Sequence, residues 1–373
     1  MSNTIFYKTT ADFDNTGEVL IYKSLLEFLR KYGNVIVNDG VGIQPKFLNR
    51  IGIVDKERLS KKTSLKFIPY MIFKSIIGIF KRDKIFFVTG VGEHSVVGIK
   101  CVVKNIVSFL FLLILRLCGV TIVRIGMSMR IQGTMAALSE KLLSRMINHY
   151  YVRDSISLNN CKKAGVKKCK MAPDLSWGYK VPNEDQCKNR KDIYMSFRFF
   201  CESKNDCGLY QAKIISVIKQ IVAEIHDKID GNIVFSFQCD EDKSFMESIF
   251  LQLSHIPNLI MSKELITLDN ANSYYGNAKV ILSNRLHVLL LGYKFGAPTI
   301  CITDKEKHRK IQGIFSDNGL LGNLIDFNIP ENQLIANIIH ILDNCNAIEG
   351  QYRIAEENNY SHLSNVFKHI FEK

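Results

Sequence analysis

The chain has 373 residues, is 47% hydrophobic and 23% charged, and carries a formal net charge of +13. That length predicts two domains, each able to build its own core, and seven prolines without a low-complexity tract exclude long disorder. Ten cysteines with no CxxC pair exclude a disulfide-stapled miniature and the usual zinc knuckle, and reduced thiols in a cytoplasmic protein are expected.

The positive charge is unevenly spread. Thirteen Lys and Arg lie between Lys46 and Lys104, opposed only by Asp55, Glu57, Asp83 and Glu93. Such a stretch suits an anionic small molecule, an anionic lipid surface or nucleic acid. The opening residues, Met1 to Tyr7, show no charged region followed by an apolar run, so no signal peptide is expected.

Thr4–Tyr7 reads as a strand, and the loop 11–17 leads into a helix from Glu18 to Tyr32. In that helix Val19, Tyr22, Leu25, Leu26 and Leu29 recur at three- and four-residue steps. Gly33 ends it, and Val35–Val37 is a short strand. Ser64–Arg82 is helical, with an apolar face and a basic rim. Lys84–Thr89 is a buried strand ending in the turn Gly90-Val91-Gly92. Val97–Leu117 is predicted helical, and Val120–Gly126 is a strand. The very apolar segment 106–123 carries Arg116 in its middle, so it reads as a buried helix, a turn at Gly119 and a strand rather than a membrane span. Gln132–Ile147 is a helix, Tyr150–Arg153 a strand, Ser155–Ala164 a helix and Lys168–Met171 a strand.

The polar stretch 179–191 is a linker. Strand Asp192–Phe197 and helix Tyr210–Asp227 follow, then strand Asn232–Phe237 and helix Asp242–Ser254. Helix Asn270–Gly276, strand Lys279–Ser283, helix Arg285–Phe295 and strand Pro298–Ile302 come next, and 333–371 is helical in pieces. This alternation predicts parallel sheets covered on both faces. The expected architecture is therefore two doubly wound, Rossmann-like α/β domains, 1–178 and 192–373, facing a cleft. In such folds ligands bind beyond the carboxyl ends of the strands.

Four segments after strands carry candidate chemistry. Ser283-Asn284-Arg285-Leu286-His287 starts a helix, where the dipole favours an anion. Arg285 can grip a carboxylate or phosphate bidentately, and His287 can move a proton near neutral pH. The same segment also reads as a plain helix start with solvated side chains. Asp12 to Glu18, with Asp14, Asn15, Gly17 and Glu18, could bring backbone N–H groups to a ligand and accept a hydroxyl proton, or be an acidic first turn and nothing more. Arg153 precedes the helix-capping candidates Asp154 and Ser155. Arg198 follows the first strand of the second half. The GxGxxG, Walker, HExxH, GxSxG and EF-hand patterns are missing, so no metal is expected.

Taken in order, these pieces resemble the polysaccharide pyruvyl transferase family over about Thr4 to Leu320. The matching segments are Asn15-Thr16-Gly17-Glu18, Thr89-Gly90-Val91-Gly92, Val152-Arg153-Asp154-Ser155-Ile156-Ser157, Pro173-Asp174 and Ser196-Phe197-Arg198. They end with Ser283, Arg285 and His287, then Gly296, Pro298 and Lys310. Glu18 stands where the family carries Asp. The resemblance implies a GT-B-like architecture, with residues 1–178 on the acceptor side and 192–373 on the donor side. It implies transfer of a pyruvyl ketal from phosphoenolpyruvate, a co-substrate with no further cofactor, to a sugar of a surface polysaccharide (exopolysaccharide, capsule or O-antigen) or its lipid-linked precursor.

On this reading Arg285, Arg198 and Arg153 bind donor anions, assisted by Ser283, and Lys310 neutralises the leaving phosphate. His287 is the general acid, Glu18 or Asp14 handles the acceptor hydroxyl, and Asn15 and Gly17 shape the loop. The helix 64–82 adds the expectation of peripheral contact with an anionic inner-membrane surface. The competing reading on the same fold is a nucleotide-sugar glycosyltransferase. A non-enzymatic basic scaffold is the third, although the chain holds no recognisable nucleic-acid module and nucleic acid is not an expected partner.

Overall fold

The computed structural model describes residues 3–9, 15–40, 45–181, 190–199, 207–306 and 308–372. The chain divides into two compact units. The first comprises Met1–Phe13, Ile21–Tyr179 and Asn358–Lys373; the second comprises Asp14–Leu20 and Lys180–Glu357. Two segments thus fall outside a simple division near residue 180. Asp14–Leu20 groups with the second unit, and the C-terminal sixteen residues group with the first.

In the first unit the elements run β1 (Asn3–Tyr7), α1 (Thr16–Tyr32, from Ile21 on), β2 (Asn34–Val37), α2 (Pro45–Arg50), α3 (Phe67–Lys81), β3 (Lys84–Thr89), β4 (Gly92–Val97) and α4 (Gly98–Leu117). Then follow β5 (Thr121–Gln132), α5 (Thr134–Ser144), β6 (His149–Val152), α6 (Ser155–Lys163) and β7 (Cys169–Met171). The strands form one parallel sheet in the order β2-β1-β3-β5-β6-β7, and β4 pairs with the far half of β5. A single core joins Phe6, Phe67, Phe87, Ile122 and Val152. The end of the chain packs here as well: Phe367 stacks on Phe28 at 4.6 Å, and Phe371 stacks on Tyr32 at 5.4 Å.

The second unit holds β8 (Asp192–Ser196), α7 (Cys207–Ile225), β9 (Ile233–Phe235), α8 (Asp240–Gln252), β10 (Leu259–Met261), α9 (Ala271–Tyr275) and β11 (Ala278–Ser283). It continues with α10 (Leu286–Lys294), β12 (Thr299–Thr303), α11 (Arg309–Asp317), β13 (Leu324–Asp326), α12 (Glu331–Asp343) and α13 (Cys345–Phe371), the last as far as Glu357. Its parallel sheet has the order β10-β9-β8-β11-β12-β13, the Rossmann order counted from its own first strand. The expected pair of doubly wound parallel-sheet units is therefore present.

Three local expectations need correction. β4 occupies the stretch read as a turn into a helix, and β5 continues to Gln132, six residues past its expected end. β4 buries only Gly92 and Val96, too sparse an apolar set to announce a strand. β10 and β13, three residues each, are too short to show a period. The third correction concerns α4, which was expected to be buried. Only Val102, Asn105, Leu112 and Leu115 are. A helix apolar on every side has one face to give to a sheet, and here the remaining faces stay outside.

Candidate active site

The order of the second sheet reverses between β8 and β11, and ligands of open α/β sheets bind beyond the strand ends at such a point. Ser196-Phe197-Arg198 leaves β8 there, and Ser283-Asn284-Arg285 leaves β11 beside it. The two exits are stitched together. The Ser283 hydroxyl donates to the Ser196 carbonyl and accepts from the Arg285 N–H at 2.9 Å. The Asn284 amide accepts from the Arg198 N–H at 2.8 Å and donates to the Arg198 carbonyl at 2.9 Å. A side-chain amide reading both backbone groups of one residue fixes where that residue's side chain begins.

Arg285 is the N-cap residue of α10 and is nearly buried. Its guanidinium forms an ion pair with Asp242 in the first turn of α8, with Nη2 donating to Oδ1 at 2.8 Å. The same Nη2 lies 2.9 Å from Sγ of Cys239, just before that helix. Burial pushes the Asp242 carboxyl up, against the pull of Arg285. Burial also pushes the Cys239 thiol up to about 11, so it is a protonated thiol at neutral pH. Arg198 is held below the ordinary guanidinium range, first by burial and then by the positive charge of Arg285. The attraction of an anion bound beside Arg198 would offset both.

Asn15-Thr16-Gly17 also belongs to this unit. The Asn15 side chain accepts from the Gly17 N–H at 2.9 Å, an Asx turn that starts α1. Thr16 anchors the turn: its N–H donates to the Gln238 carbonyl at 3.0 Å, and its hydroxyl donates to the Ile266 carbonyl at 2.8 Å. Gly17 then lies directly against His287. A Cβ on Gly17 would sit 2.6 Å from Nδ1 and 2.7 Å from Cβ of that histidine. Only a residue without a side chain allows this approach. The first turns of α1 and α10 therefore meet at the imidazole. Glu18, in the first turn of α1, is partly exposed next to this contact.

The remaining sequence candidates divide. Ser283 is fully buried with its hydroxyl engaged on both sides, so it positions the loop. Arg153 lies in the first unit, where it bonds Asp174 at 3.0 Å and the Ser128 hydroxyl at 2.8 Å. Both partners of that ion pair are out of solvent, so the charge of Arg153 is already compensated within the first unit. Its neighbour Asp154 caps α6 through the Ser157 N–H at 2.6 Å. Lys310 is partly exposed in the first turn of α11. Asp14 lies outside the described residues. Asp242, Cys239 and Gln238 were not singled out from sequence. Asp242 sits in the acidic run Asp240-Glu241-Asp242, which reads as dipole-complementing charge at a helix start.

The family model for polysaccharide pyruvyl transferases matches residues 15–306, from Asn15 of this site through the Arg285–His287 segment and beyond. The chain belongs to the polysaccharide pyruvyl transferase family. It is accordingly a transferase of the class that moves pyruvyl groups to polysaccharide. A sequence comparison with curated proteins returns no significant match.

Among solved structures the chain is similar to a Listeria monocytogenes protein assigned as a UDP-N-acetylglucosamine 2-epimerase. The TM-score is 0.59 at 11% identity, over 100% of this chain and 98% of that one. The UDP-GlcNAc 2-epimerase of Neisseria meningitidis bound to UDP-GlcNAc gives 0.56 at 12% identity, covering 100% and 99%. The lipopolysaccharide outer core galactosyltransferase WaaB, in its apo form, gives 0.52 at 10% identity, covering 99% and 98%. At such identities the likeness is one of fold, and it places this transferase among the two-unit parallel α/β, GT-B-type enzymes.

Proposed function

We propose that this pyruvyl transferase takes its group from phosphoenolpyruvate and installs it as a carboxyethylidene ketal on two hydroxyls of one sugar, in a surface polysaccharide or its lipid-linked precursor. The observation that carries this reading is the meeting of Gly17 and His287 beside Arg198 and Arg285. Two family motifs from opposite ends of the matched region form one cationic place with an imidazole in it.

The donor carries a carboxylate and a phosphate, so it needs cations for both. Arg198 supplies the first contact, and Arg285, held by Asp242, lends its charge from behind. His287, as general acid, protonates the methylene carbon to a methyl and leaves an oxocarbenium-like centre. One sugar hydroxyl attacks that centre. The C–O bond to phosphate breaks, and the second hydroxyl closes the ring. Of the two hydroxyl protons, one restores His287 and the other leaves with inorganic phosphate, for which Lys310 is the counter-charge. Glu18 orients the attacking hydroxyl. A positioned acid of this kind contributes about 10²–10⁴-fold.

The test is incubation with phosphoenolpyruvate and a panel of lipid-linked glycans, read by mass. A product heavier by one pyruvyl ketal, with phosphate released, supports the reading. Turnover of UDP- or GDP-sugars, with phosphoenolpyruvate inert, overturns it in favour of glycosyl transfer.

A further inference from the structure

Among the described residues, the large apolar side chains left exposed are concentrated in one region. All but Leu209, Leu251, Ile260, Leu321 and Ile354 lie between Val54 and Leu138. Most of these lie on the outer faces of two helices. On α4 the exposed set is Ile99, Val103, Ile106, Val107, Leu110, Ile114 and Leu117, which fall on one side of the helix as one stripe. On α3 it is Ile68, Phe73, Ile76, Ile79 and Phe80, the last 85% exposed. Both helices cover the same face of the sheet, because Phe67 of α3 and Phe111 of α4 each pack against the ring of Phe87. The Cβ position of Gly119, just after α4, lies 3.8 Å from Ile79 of α3, so the two stripes adjoin.

Charge edges this surface, and on the two helices themselves it is of one sign. Lys61, Lys62 and Lys66 precede α3, Lys74 and Lys81 lie on it, and Arg82 ends it. On α4, Lys100 and Lys104 lie along one flank of the stripe and Arg116 along the other. Neither helix contains an acidic residue.

α4 is long and apolar enough to cross a membrane. Its inner face, however, is bound to the unit. Asn105 donates to Glu140 at 3.0 Å and to Ser139 at 3.2 Å, and the buried Glu140 is paired with Arg124 at 2.8 Å. A helix fastened on one side through a buried ion pair lies on its unit and does not thread a bilayer.

We infer that the adjoining outer faces of α3 and α4 dock on an anionic lipid surface, the apolar stripes entering the acyl boundary and the lysines meeting the headgroups. A second copy of the chain is the other occupant an apolar face invites. A two-fold contact through this patch would set the same cations against one another with no acid on either helix to meet them. An anionic bilayer meets both halves of the pattern. Each lysine near such a surface adds about fivefold to partition. This inference stands independently of the donor and acceptor assigned above.

The experiment is co-sedimentation of the full chain with phosphatidylcholine vesicles, with and without one third phosphatidylglycerol, alongside its mass in solution. The wild type is expected to bind the mixed vesicles strongly and the neutral ones weakly. I76E/F80E and V107E/L110E, all at exposed positions, should each lose at least about tenfold in binding, with unchanged far-UV circular dichroism. K100Q/K104Q should lose binding to the mixed vesicles only. Failure to bind the mixed vesicles overturns the inference. So does a wild-type dimer that the glutamate variants convert to monomer without a change in vesicle binding.

Discussion

Gly17 and His287 are in van der Waals contact across the second unit, with the missing Cβ of one occupying the place where the ring of the other sits. Because Gly17 is at the start of a helix and not in the left-handed region, this glycine answers to space alone. Gly17→Ala must therefore push the imidazole aside. Overpacking of this sort costs about 1–3 kcal/mol of stability, and a displacement of about 1 Å in a reacting group can cost 10²-fold in rate. The expected outcome is a loss of turnover much larger than the loss in Tm, measured by phosphate release from phosphoenolpyruvate and by thermal unfolding.

Arg198 and Arg285 are expected to behave differently, although both are arginines beyond strand ends. If Arg198 binds the donor as proposed, Arg198→Ala removes charge-assisted bonds worth about 1.5–3 kcal/mol, and KM for phosphoenolpyruvate should rise about 10–100-fold. Asp242→Asn leaves Arg285 without its carboxylate and free to swing. Its effect should fall mainly on kcat, with a smaller change in KM. Steady-state kinetics of the two variants separates the roles.

Arg153 provides the contrast. Its pair with Asp174 is out of solvent on both sides. Removing one member of a buried pair costs about 3–5 kcal/mol, because the other charge is left uncompensated. Arg153→Met should lower the unfolding free energy in urea by that measure while KM for the donor stays constant. Adding Asp174→Leu should recover part of the stability.

The pH dependence of stability should come from the first unit. Burial is the main cause holding both His94 and His149 below the ordinary imidazole range, with Arg124 adding to it at His94 and His369 at His149. A lowered folded value means the native state prefers the neutral ring. The contribution is full above the unfolded value of about 6.5 and is lost as pH falls from there through the folded value. Tm should therefore decline as pH drops below about 6.5, and the double variant His94→Gln/His149→Gln should flatten that decline.

Much of this was legible in the sequence because parallel sheets announce themselves as apolar runs between amphipathic helices. β3, β8 and β11 are of that kind. The candidates His287, Arg285 and Arg198 were readable from their position after strands. Their neighbours were not. Asp242 is hidden among helix-start acids, and Arg153 looks like a ligand-binding arginine until Asp174 is seen beside it. The contact between Gly17 and His287 depends on a turn whose anchors, Gln238 and Ile266, are far along the chain. The exposure of α4 was hidden for a different reason: an apolar sequence does not say which of its faces a sheet will cover.

The most direct test follows the imidazole of His287 itself. In protein labelled with ¹⁵N-histidine, with the resonance assigned through His287→Gln, phosphoenolpyruvate should shift the His287 ring nitrogens saturably. His226 and His340 should stay still, and Arg198→Ala should abolish the effect. A His287 resonance unmoved at saturating donor, or moved equally in Arg198→Ala, would contradict the site.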